Sequence, residues 1–169
     1  MMRLPGRAAR ALAVGGVQVA LALSVAGTYL HDRITLPRAW VRTVPVDPNV
    51  PLRGRYVRLW LAVVADGLPG GAAGGWQSVR LSVRGDELVA QSAAGRRTAN
   101  SVRYDERTGT WVLTDPVAFF IPEHAPDPSA RAAGEELWAE VSVPRSGPPR
   151  PVRLGVRRNG GAIAPLTLR

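Results

Sequence analysis

The chain has 169 residues and no cysteine, and its 22 basic residues, all arginine, stand against 13 acids for a net charge of +9. The missing cysteine excludes disulfides, thiolate metal sites and cysteine nucleophiles, and the missing lysine excludes a Ser/Lys dyad. The length holds one membrane segment and one soluble domain of common size.

From Ala11 to Leu30 no residue carries a formal charge. As a helix rising about 1.5 Å per residue, that run reaches about 30 Å, the thickness of one bilayer core. Arg3, Arg7 and Arg10 precede it, and Arg33, Arg38 and Arg42 follow it, so the flanking arginines do not orient it by themselves. Length does: a short basic N-terminus stays in the cytoplasm, whereas a long domain is translocated largely regardless of its charge. The expected organisation is a cytoplasmic stub and transmembrane anchor over 1–31 and an extracytoplasmic domain over 32–169. The same basic-then-apolar pattern, with the small residues Ser24-Val25-Ala26, also suits a cleaved signal peptide. Asp32 to Pro37 is expected to form the stalk between the two parts.

Beyond Asp32 the apolar run gives way to short alternating stretches cut by Gly and Pro, the pattern of antiparallel strands. Ser78–Arg84 is the clearest, with Val79, Leu81 and Val83 on one face and Ser78, Arg80, Ser82 and Arg84 on the other. The other predicted strands are 40–46, 56–64, 87–91, 101–104, 110–114, 118–121, 137–143 and 152–157. Gly85 and Gly109 are placed for hairpin turns that need positive φ, and 69–75 is a glycine-rich spacer. Asp127-Pro-Ser-Ala-Arg-Ala-Ala133, with an acidic cap, an early proline and Gly134 behind it, predicts one short helix. The expected fold class is mainly β: a transmembrane helix, then one small antiparallel β-sandwich or partly open barrel with one short helix.

The stretch Pro45-Val-Asp-Pro-Asn-Val-Pro-Leu-Arg-Gly-Arg-Tyr-Val-Arg-Leu-Trp-Leu61 holds its backbone extended with prolines and bends at Gly54. Pro45, Asp47, Pro48, Pro51, Arg53, Gly54, Tyr56 and Leu59, together with a later Phe120-Ile-Pro-Glu123, resemble the signature elements of the GDYXXLXY-domain family of membrane-anchored bacterial proteins. Arg55 stands where that family has Asp, and Leu61 where it has a final Tyr. The resemblance implies an anchored, β-rich cell-envelope protein without an assigned reaction. It also implies a neighbouring polytopic membrane protein as partner.

The binding or motif candidates are Asp47, Arg53, Gly54, Tyr56, Arg58, Leu59 and Glu123. Asp47 and Arg53 either pair to orient a ligand or partner peptide, or serve as a turn cap and a loop ion pair. Arg58, between two aromatic residues, can present a cation or simply blunt an exposed strand. Glu123 is placed to accept a hydrogen bond from Arg53 if the two elements meet. His31 and His124 are the only histidines, too few for a triad or a histidine-rich zinc site, so no catalytic residue, metal or cofactor is expected. The arginines are spread along the strands instead of clustering with aromatics, so nucleic acid is not an expected partner. The expected function is an accessory or interaction module for an integral membrane partner. The alternative is a binding domain for anionic cell-envelope material through Arg53, Arg55 and Arg58, and a hydrolase ranks below both.

Overall fold

A computed structural model describes residues 6–44, 56–68 and 75–168. The chain divides into two compact units, Met1–Thr35 and Leu36–Arg169. The first contains a single helix, α1 (Gly6–Thr35). Within it, Ala8–Asp32 is long and apolar enough to cross a membrane, with a mean hydropathy of 1.7. Leu12, Val17, Leu21, Leu23 and Val25 are all exposed, so the helix is apolar around its circumference instead of along one stripe. Two hydroxyls on it are satisfied internally: Thr28 Oγ1 donates to the Ser24 carbonyl at 2.9 Å and Thr35 Oγ1 to the His31 carbonyl at 2.8 Å. Internal satisfaction of this kind is what hydrocarbon surroundings require. The helix runs on to Thr35 and stops ahead of Pro37, which disfavours helical geometry at Leu36. Most of the expected stalk is therefore helical.

The second unit is a β domain with ten strands among the described residues: β1 (Arg38–Val44), β2 (Tyr56–Asp66), β3 (Gln77–Arg84), β4 (Glu87–Ser92), β5 (Asn100–Asp105), β6 (Thr110–Leu113), β7 (Val117–Phe120), β8 (Glu135–Ser142), β9 (Arg150–Arg158) and β10 (Ile163–Pro165). Their order is β10-β9-β8-β1-β2-β4-β3-β5-β6, and an additional β2–β6 pairing makes part of the sheet ring-like. The chain is mainly β, as its alternation predicts. Two features differ from the expected antiparallel sheet. A short tenth strand pairs Ile163 with Arg157, and β2 runs parallel to β4, with Val64 opposite Val89.

β2, 11 residues long, organises the domain. Its residues 56–59 pair with β7, 60–61 with β1, 62–63 with β6 and 64–66 with β4. Period-two geometry turns Val57, Leu59, Leu61 and Val63 into the core, where all four are buried. Val79, Leu88, Ala90, Val102, Leu113, Val117, Val41, Ala139 and Leu154 meet them there. On β3, Val79 is fully buried and Leu81 and Val83 are half-buried against the same cluster, the face that the sequence assigns to them. Gly85 and Gly109 adopt φ of 61° and 64° in the two expected hairpin turns.

Residues 127–133 do not form the predicted helix; they are turns and irregular chain. Asp127 Oδ1 accepts hydrogen bonds from Ser129 N at 2.8 Å and Ser129 Oγ at 2.7 Å, closing a local turn in place of capping a helix. Pro128 is buried, which ties the segment to the domain. Seven residues are also too few to offset the cost of helix nucleation.

The outward face of β1, β8 and β9 carries a second layer of side chains. The Arg153 guanidinium lies 5.3 Å from the Trp40 ring, and Arg157 lies 5.3 Å from that of Trp138. Glu140 accepts from Arg153 Nε at 2.6 Å and lies 3.7 Å from Arg38. Trp40 can lie across the sheet because residue 155 is glycine: a Cβ there would come within 2.9 Å of the Trp40 ring and 2.7 Å of Ile163. Gly155→Ala is therefore expected to displace the indole and lower stability by about 1–3 kcal/mol, the usual cost of overpacking. Chemical denaturation followed by tryptophan fluorescence measures both effects.

Candidate functional site

The sequence candidates fall into two groups. Asp47, Arg53 and Gly54, and with them the Asp47–Arg53 pair and the Arg53–Glu123 contact, lie outside the described residues. Tyr56, Arg58, Leu59 and Glu123 are described, and the structure divides their roles. Tyr56 opens β2 and is half-buried; Arg58 points outward; Leu59 is a core residue; Glu123 sits in the exposed turn after β7. Leu59 thus belongs to packing, because β2 alternates and odd-numbered positions here face inward.

The described end of the first element meets the start of the second. Tyr56 pairs directly with Phe120 in the antiparallel β2–β7 register, and their rings meet edge-on with centroids 6.3 Å apart at 66°. Among the described residues β7 is hydrogen-bonded to β2 alone, and none of them pairs with its other side. Phe120, the last residue on it, is 77% exposed. A large ring that exposed, at the end of a strand, contributes little to the core.

A cleft of about 480 Å³ opens beside Arg58 where β1, β2 and the start of β8 meet the 127–133 segment. Arg42, Arg58 and Arg131 line it with Glu135, Glu136 and the hydroxyls of Thr108 and Ser129, over an apolar wall of Val44, Leu59 and Leu137. Sequence reasoning singled out Arg58 but missed the other arginines, which come from segments distant in the chain. Glu136 Oε1 lies 3.6 Å from Arg42 Nη1, and Trp138 Nε1 donates to Glu136 Oε2 at 3.3 Å. Glu135 accepts from Arg158 Nε at 2.8 Å and lies 3.9 Å from Arg131 Nη1. That hydrogen bond from Arg158, ahead of the field of Arg158 and Arg131, holds the Glu135 carboxyl below its ordinary range. The Nε of Arg131 is buried without a hydrogen-bond acceptor among the described residues. Among those residues no group of three His, Asp or Glu side chains is placed to hold a metal ion.

Two carboxylates away from the cleft are shifted the same way. Asp66 is lowered by its hydrogen bond from Gln91 and then by Arg84, whose Nη2 lies 2.7 Å away. Asp105 is lowered by the Thr108 hydroxyl, which donates at 2.8 Å across the hairpin turn. A depressed folded-state pKa gives stability that is complete above the unfolded value and is lost as pH falls through the folded one. The melting temperature should therefore hold from neutrality down to about pH 5 and decline below about pH 4, where carboxylates titrate. Asp66→Asn should make that decline shallower in a melting series against pH.

No protein-family model, no curated protein and no solved structure matches this chain.

Proposed function

We propose that this chain is a single-pass membrane protein whose N-terminus is cytoplasmic and whose β domain stands outside the cytoplasm as an accessory module for an integral membrane partner. The observation that carries this reading is the β7 edge, which has no second pairing partner among the described residues and ends in Phe120, 77% exposed and flanked by the Tyr56 ring. An open strand offers a row of backbone donors and acceptors to a second chain, and an aromatic ring beside it supplies an anchor. The partner in this reading is a membrane protein because the apolar segment Ala8–Asp32 is long enough to anchor the chain in the same bilayer. In this reading the helix is retained. A cleaved signal peptide would instead leave a shorter mature chain, which migration on a gel distinguishes.

A photoreactive phenylalanine analogue at position 120 in native membranes tests the proposal. The expected product is a crosslink to one carbonate-resistant membrane protein, absent when the analogue replaces exposed Ser146. In parallel, Phe120→Ala should reduce co-purification of that protein about tenfold or more, the size of an aromatic hot spot. Crosslinks formed equally from position 146, or only to soluble proteins, would count against the reading.

A further inference from the structure

We propose that the cleft of Arg42, Arg58 and Arg131 is a binding site for an oxyanion carried on an apolar body, a carboxylate or a phosphodiester. The site uses a different surface from Phe120, and it stands whether or not the β7 edge docks a partner.

Charge sets the sign of the ligand. Among the described residues three arginines and two glutamates line the cleft, and Arg158 pairs with one of those glutamates, so arginines outnumber acids there. The two acids are already engaged, Glu135 by Arg158 at 2.8 Å and Glu136 by Arg42 at 3.6 Å and the Trp138 indole at 3.3 Å. Arg58 has no acidic partner among the described residues. The excess is positive, so an anion complements this set.

Hydrogen bonding sets its chemistry. Arg58 is exposed and lines the cleft with Arg42 and Arg131. Two oxygens on one centre match the planar guanidinium fork of an arginine. Ser129 and Thr108 also line the cleft, but their hydroxyls already donate to Asp127 and Asp105, which leaves the arginines as the donors. Opposite them, Val44, Leu59 and Leu137 offer carbon surface, so the charged group should be joined to an apolar part. The volume of about 480 Å³ falls within the usual range of small-ligand sites.

Isothermal titration of the full chain in a neutral detergent tests this with hexanoate as the carboxylate, dibutyl phosphate as the phosphodiester and hexanamide as the uncharged control. Saturable binding of at least one anion, and none of hexanamide, is expected, and the tighter anion identifies which source the cleft suits. Arg58→Gln and Arg131→Gln should each weaken that binding about tenfold or more, the usual scale for a charge-assisted hydrogen bond. Arg80→Gln, on the exposed face of β3, removes the same charge elsewhere and should change it less than about twofold. Should Arg131→Gln lower the melting temperature so far that it is unfolded, exposed Arg58 decides alone. No saturable binding of either anion overturns the proposal, as does equal weakening by Arg80→Gln, which would reduce the effect to net charge.

Discussion

Leu61→Ala is expected to destabilise the β domain by about 2–5 kcal/mol, enough to remove a large part of the roughly 5–15 kcal/mol that holds a typical domain together. Leu61 is 0% exposed and lies at the midpoint of β2, opposite Thr43 of β1. That strand pairs with β7, β1, β6 and β4 in succession, so the cavity would open where four neighbours meet. The surrounding strands are fixed by their own ladders and cannot collapse into it, which places the cost toward the upper part of the range. Val64→Ala, three residues along on the same strand, removes apolar atoms from a side chain that is 45% exposed and should cost less than about 1 kcal/mol. Urea denaturation of both variants gives the comparison. Similar losses at the two positions would mean that β2 is not the structural axis of the domain.

The second large effect concerns the helix. An arginine at Leu21, near the middle of Ala8–Asp32, should disfavour insertion by about 2.5–3.5 kcal/mol, or on the order of a hundredfold in the inserted fraction. The segment is only moderately apolar, with Gly15, Gly16 and Gly27 among its residues, so it has little reserve against such a charge. Membrane fractionation after a carbonate wash should show Leu21→Arg largely in the soluble fraction. Leu21→Ala, which adds no charge, should remain in the pellet. An unchanged distribution of Leu21→Arg would show that the helix is not held in hydrocarbon.

Most strands were legible because alternation survives wherever one face is buried: Ser78–Arg84, Glu87–Gln91 and Thr110–Thr114 reappear within a residue or two of their predicted bounds. The pattern is silent about partners, since period two is the same in parallel and antiparallel strands, so the Val64–Val89 parallel pairing could not be read. Ile163–Pro165 is too short to alternate. At Asp127-Pro-Ser129 the residues that cap a helix are the same ones that close a turn, and the buried Pro128 settled the outcome in favour of the turn. The cleft was legible only in Arg58. Arg42, Arg131, Glu135 and Glu136 reach it from β1, the turn segment and β8, and only the pairing of β1 with β8, Arg42 opposite Trp138, brings them within range.

The account depends most directly on the β domain standing outside the cytoplasm on a retained helix. The chain has no cysteine, so a single one placed at exposed Ser146, in the turn between β8 and β9, reports its compartment without background. In intact cells a membrane-impermeant maleimide should label Ser146→Cys at full length, in the carbonate-resistant membrane fraction. Labelling that appears only after the cells are lysed would place the domain in the cytoplasm and contradict the account.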